Sequence, residues 1–87
     1  MNGGGEMNLM LKITKSKITN ETAVYEYYPE NETGKYGIIS VNRNNGEWKI
    51  EKLCEGYSDE YAFFASREVK KYIKQGEFKE TGYVVWY

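Results

Sequence analysis

Histidine is absent from this 87-residue chain, and cysteine (Cys54), proline (Pro29) and aspartate (Asp59) occur once each. Arginine occurs twice, as Arg43 and Arg67. Each scarcity excludes something. A lone thiol cannot close an internal disulfide, and without histidine a zinc site loses its usual nitrogen ligand. The commonest proton shuttle is missing as well. No catalytic, metal or cofactor site is therefore expected. No apolar run is long enough to span a bilayer. The opening Met1-Asn2-Gly3-Gly4-Gly5-Glu6 lacks the cationic and apolar regions of a signal peptide. The expectation is a cytoplasmic protein with no membrane partner.

Charge is nearly balanced, with twelve Lys+Arg against thirteen Asp+Glu and a formal net charge of −1. Such a chain has no global attraction to nucleic acid or to an anionic membrane. Any basic site would have to be local. The chain does carry nine tyrosines and two tryptophans. Its length suits one domain. A domain this small buries only about 60% of its unfolded surface, so large aromatic side chains must supply much of the core.

Residues 1–7 are expected to be a disordered leader and 8–87 a single domain. Gly3-Gly4-Gly5-Glu6 can be encoded by a purine-rich, ribosome-binding-like stretch, which makes Met7 the expected native start. An intact Met1 or Asn2 terminus in the mass spectrum of the endogenous protein would contradict this. The two Asn-Glu-Thr triplets, at 20–22 and 31–33, match a glycosylation pattern but are accounted for more simply as turns.

Periodicity gives the elements. Asn8 to Lys15 alternates, with Leu9, Leu11 and Ile13 on one side, and reads as a half-buried strand. Thr22 to Tyr28 is a second strand, stopped by Pro29. Lys35 to Asn42 and Glu47 to Leu53 flank Arg43-Asn44-Asn45-Gly46, and Asn-Gly is a strong hairpin signal. A two-residue loop would pair Val41 with Ile50, and a four-residue loop would pair it with Trp48. Both put Ile39, Val41, Trp48 and Ile50 on one face. Ser58 or Asp59 can cap a helix from about Glu60 to Gln75, with Gly76 as its stop. Tyr61, Ala62, Ala65, Val69, Tyr72 and Ile73 form its apolar stripe. Tyr83 to Tyr87 is a last strand. The order ββββαβ predicts an α+β fold: a mostly antiparallel five-stranded sheet with one helix on one face.

Two surfaces draw attention. Phe63 falls opposite the helix's core stripe, beside Arg67, Lys70 and Lys74, and Phe64 projects to a third side, near Lys71. An aromatic among cations suits an acidic partner or a nucleic-acid backbone. The competing account is a ring tucked under a loop and lysines that only solvate. The second surface is the sheet face the helix leaves bare. Some of Tyr25, Tyr27, Tyr28, Tyr36, Tyr83, Trp86 and Tyr87 must lie on it or its rim, and Tyr and Trp dominate binding hot spots. Ordinary cross-strand pairing is the competing account there. Lys35-Tyr36-Gly37-Ile38-Ile39-Ser40-Val41 echoes an RNA-recognition-motif strand, but Ile38 and Val41 replace the stacking aromatics. Cys54 has no base beside it in sequence and is expected to be buried. Glu47, Glu51 and Glu55 lie along a wet face, and Asp59 is best explained as a cap.

Gly37-Ile38-Ile39-Ser40-Val41, the Asn-Gly hairpin before Trp48, Gly76-Glu77-Phe78 after the helix and the ending Gly82-Tyr83-Val84-Val85-Trp86-Tyr87 carry a resemblance. The run from Lys35 to Tyr87 resembles small uncharacterised proteins of prophages and conjugative elements of low-GC bacteria. That resemblance implies a mobile-element accessory role and no site residues. The expected function is a non-enzymatic protein-binding domain, with an unknown protein or a second copy as partner. It would use Phe63, Arg67, Lys70, Lys74, Tyr25, Tyr27, Trp86 or Tyr87. The alternative is a nucleic-acid-binding accessory factor acting through Arg67, Lys70, Lys71 and Lys74.

Overall fold

A computed structural model describes residues 9–86; the expected leader, Met7 and Tyr87 lie outside the described residues. The elements are β1 (Leu9–Ile18), β2 (Thr22–Pro29), β3 (Gly37–Asn42), β4 (Trp48–Lys52), α1 (Glu60–Gln75) and β5 (Thr81–Trp86). The five strands form one antiparallel sheet in the order β4-β3-β2-β1-β5, so the fold is α+β with the expected ββββαβ order. Helix α1 lies on one face and packs chiefly over β3 and β2.

Strand pairing assigns every side chain to a face. Leu11 opposes Val84 and Pro29, Ile13 opposes Tyr27 and Gly82, Tyr25 opposes Ile39, and Val41 opposes Ala23 and Trp48. These residues make the helix-covered face. Ala62, Ala65, Ser66, Val69 and Tyr72 of α1 close down on it, and most of the seam is fully buried. Two alanines let the rod approach the sheet closely, and the adjoining rings supply the volume.

The hairpin register is now decided. Val41 pairs with Trp48, and the Asn42 N–H donates to the Glu47 carbonyl, so Arg43–Gly46 is a four-residue loop. The Asn42 side chain accepts the N–H groups of Asn44 and Asn45 at 2.8 and 3.1 Å. That Asx geometry satisfies a loop whose backbone the sheet cannot reach. Strand β1 runs three residues past Lys15, because a bulge between Lys15 and Lys17 absorbs the irregularity and lets Ile18 pair with Ala23. Pro29 ends β2 on an interior strand, which a proline tolerates only where no ladder bond is needed. Strand β3 begins at Gly37, opposite Tyr27, so nothing waits for a Pro29 N–H.

The helix has the expected bounds. Asp59 sits at its N-cap but makes no side-chain cap bond; the Ser58 hydroxyl accepts the Glu60 N–H at 3.4 Å instead. Gly76 ends the helix with a left-handed φ of 76°, and its N–H donates to the Tyr72 carbonyl at 2.8 Å.

Two rings lie on two glycines. A β-carbon at Gly37 would run into the Tyr27 ring, and one at Gly82 would run into the Tyr72 hydroxyl. The buried Tyr72 hydroxyl makes no hydrogen bond of good geometry among the described residues, although Glu68 is near enough to help raise its pKa. Gly82→Ala is therefore expected to cost about 1–3 kcal/mol through overpacking. Tyr72→Phe alone should be close to neutral, since the hydroxyl it removes makes no well-formed hydrogen bond. In the Tyr72→Phe background the cost of Gly82→Ala should fall below about 1 kcal/mol. Urea denaturation of the four proteins checks this; an equal cost in both backgrounds contradicts the contact.

Candidate functional site

Three regions present chemistry, and two of them converge side chains on a surface. The first is the interior. Tyr25 and Tyr27, expected among the binding residues, are fully buried and cannot contact a partner. The reason is the two-residue period of β2, which turns both toward the helix. Their hydroxyls act as struts. Tyr25 donates to the Lys79 carbonyl at 2.7 Å, and Tyr27 accepts the Cys54 N–H at 3.1 Å. Burial, helped by Glu80, pushes the Tyr25 phenol up to about 12. Burial also raises Tyr27, Tyr61 and Tyr72. Cys54 is buried and its thiol is raised, first by desolvation and then by Glu32. A nucleophilic thiol needs the opposite shift. Glu47, Glu51 and Glu55 are exposed as expected, with Glu51 accepting the Ser40 hydroxyl at 2.8 Å. Among the described residues no group of three or more His, Cys, Asp or Glu could hold a metal, and no helix is long and apolar enough to cross a membrane.

The second region is the open sheet face with the β5 edge. Strand alternation turns Met10, Lys12, Tyr28, Ile38, Tyr83 and Val85 away from the helix. A ladder crosses the strands there. The Lys52 ammonium lies 4.0 Å from the Tyr36 ring centre, Tyr36 and Tyr28 are 5.6 Å apart, and the Lys12 ammonium is 5.1 Å from Tyr28. Lys12 in turn opposes Tyr83 across the β1–β5 pair. The Tyr28 hydroxyl donates to Glu26 at 2.6 Å, and that bond is the main cause that pushes its pKa up to about 12. Tyr83 and Val85 are the least covered, at 63% and 53% exposure. Tyr28, Tyr36 and Tyr83 are thus the open-face phenols.

The backbone of β5 adds a second feature. The Lys15 N–H donates to the Glu80 carbonyl, so ladder alternation directs the backbone groups of Gly82, Val84 and Trp86 toward β1. Those of Thr81, Tyr83 and Val85 point outward. β5 is an edge strand, and no other backbone group among the described residues bonds to them. The two edges of the sheet differ in kind. β4 carries Lys49, Glu51 and Lys52, all exposed, which discourage a further strand. β5 reads Thr-Gly-Tyr-Val-Val-Trp, with no charge and no proline. Trp86, also expected at the surface, turns to the helix side and stacks on Phe64 at 4.1 Å between ring centres.

The third region lies between α1 and the β3–β4 loop. Arg43, Asn44 and Gly46 form one wall and Phe63, Arg67, Lys70, Lys71, Ile73 and Lys74 the other, around a groove of about 620 Å³. Phe63 is 44% exposed, as its place on the helix requires. It is held edge-on by Phe64 at 5.3 Å and tilted against Trp48 at 6.3 Å, with the Arg67 guanidinium 5.8 Å from its ring. Arg43 is the member that helix periodicity alone does not reveal. Its guanidinium donates to the Thr19 carbonyl and lies 4.9 Å from the Phe78 ring, which fixes it beside the helix. The signal was the four-residue hairpin loop, whose position relative to α1 depends on tertiary packing.

No family model, curated protein or solved structure matches the chain.

The phenols generate a pH prediction. A tyrosine raised above its ordinary value of 10 contributes stability that is complete below pH 10 and lost as pH climbs through the folded value. For Tyr25 and Tyr28 that window runs from 10 to about 12. Denaturant midpoints should fall across it, and the last phenolate absorbance should appear together with loss of the fold. Ionisation of all nine phenols near pH 10, with helical circular dichroism intact, contradicts the buried assignments.

Proposed function

We propose that the chain is a non-enzymatic binding domain that docks a protein strand along the free edge of β5, with a second copy of itself as the occupant. The observation that carries this is the contrast between the two sheet edges. One is studded with exposed charge, and the other is uncharged, aromatic and β-branched, with three outward backbone units. Edges of the second kind are templates for strand addition, in which the main chain supplies affinity and alternate side chains supply specificity.

A second copy suits this edge because antiparallel pairing about a twofold axis is self-complementary. With the axis beside Val84, Tyr83 of each copy meets Val85 of the other in a hydrogen-bonded pair. On the helix side, Gly82 of one copy faces Trp86 of the other. Aromatic and β-branched cross-strand pairs of this sort contribute roughly 0.2–1 kcal/mol each. No like charges meet along the seam, because β5 carries none. The open-face row of Tyr36, Tyr28, Lys12 and Tyr83 would then continue across both copies. A cytoplasmic, mobile-element accessory role is part of the same proposal and rests on the resemblance of Lys35 to Tyr87.

Light scattering during size-exclusion chromatography should give a mass near twice the 10.2 kDa chain. Val85→Lys places a cation on the edge at an exposed position and should return a folded monomer. A wild-type protein that is monomeric at its highest soluble concentration overturns the proposal. So does a dimer that Val85→Lys leaves intact.

A further inference from the structure

We infer that the groove between α1 and the β3–β4 loop is a binding site for single-stranded nucleic acid. Its loop wall stands on the β3–β4 side of the sheet, while Arg67 and Lys71 on the helix also border a cleft toward Val84 and Trp86 of β5.

Charge is the first argument. Arg43, Arg67, Lys70, Lys71 and Lys74 line the groove and no carboxylate does. These are five of the chain's twelve cations. The remainder of the molecule holds seven cations against thirteen anions, so a near-neutral chain is strongly polarised. Among the described residues, only Lys71 of the five makes an ion pair, with Glu68 at 3.3 Å. Bringing five like charges around one concavity is unfavourable in the free protein, and an anion reverses the sign of that term. The spacing is regular. Arg67, Lys70, Lys71 and Lys74 recur at three, four and seven residues, so they share one flank of the helix. Arg43 arrives from the other wall, already oriented by Thr19 and Phe78.

Shape and chemistry choose among polyanions. Phe63 stands exposed among the cations with its ring braced by Phe64 and Trp48. An acidic peptide would pair with the cations and leave the ring face unused. A nucleobase stacks on such a ring while its phosphates meet the lysines, the combination found in single-strand binding sites. Asn44 on the loop wall adds an amide that can bond to a base edge.

The test is fluorescence anisotropy of a labelled mixed-sequence single-stranded DNA 15-mer (a probe length of about three times the cation count), titrated with the full chain at several salt concentrations. Binding should weaken with salt, with a log–log slope between about −2 and −3.5, the upper bound being about 0.7 for each of five phosphates. Lys70→Glu/Lys74→Glu, at two exposed positions, should abolish it. Phe63→Ala should weaken it about tenfold. Lys17→Glu/Lys35→Glu makes the same charge change at exposed sites elsewhere and should leave most of the affinity. No binding, or equal loss in both double variants, overturns the site. So does tighter binding of a duplex or of a polyglutamate peptide, or a loss that follows Lys12→Glu/Lys52→Glu on the open sheet face.

Discussion

Phenol rings seated over glycine backbone hold this molecule together. Tyr27 occupies the space a side chain at Gly37 would need, and Tyr72 does the same at Gly82. The first contact joins two neighbouring strands, and the Tyr27 hydroxyl also reaches the Cys54 N–H in the connection to the helix. The second presses the helix onto β5. Between them Tyr25 and Tyr72 meet at 5.7 Å, and Tyr25 ties the chain after the helix through the Lys79 carbonyl. With one thiol the chain cannot close an internal disulfide, and without histidine it lacks a common zinc ligand. Large amphipathic rings, each with an apolar body and one polar tip, link distant segments in their place.

That arrangement determines what remains outside. One sixteen-residue helix covers one face of five strands, and its alanine and valine seam lies over β3 and β2. Tyr83 and Val85 of β5 point to the face opposite the helix and stay in solvent. At the opposite side, the β3–β4 loop rises beside the helix and encloses the cationic flank. Each surface is thus a consequence of where the helix sits. The tyrosine and cysteine shifts that are resolved all favour the neutral form.

Much of this was legible in the residues. The helix bounds, the Gly76 stop, the strand order along the chain and the core face of the hairpin followed from periodicity and turn chemistry. Periodicity placed Phe63 opposite the core stripe but left open whether a loop would cover it; in the structure it is 44% exposed. The hairpin register did not follow, since Asn42 could cap a four-residue loop only once its side chain was known to accept two N–H groups. Tyr25 and Tyr27 were expected as surface candidates although their period with Ala23 placed all three on one face. Which face the helix would cover was the missing fact, and pattern alone does not supply it. For the same reason the pattern did not show that Trp86, on the edge strand, would turn to the helix side and stack on Phe64. Arg43 joined the groove through loop packing, which no local pattern encodes. Spatial strand order, and with it the contrast between a charged edge and a bare one, also required the fold.

The bare edge of β5 is the proposed interface. Amide hydrogen exchange, followed residue by residue across a range of protein concentrations, tests it most directly. The outward N–H groups of Thr81, Tyr83 and Val85 should become protected as concentration rises, while those of Trp48 and Ile50 on the charged β4 edge should not change. Exchange of the three β5 amides that stays fast at every concentration would contradict the account.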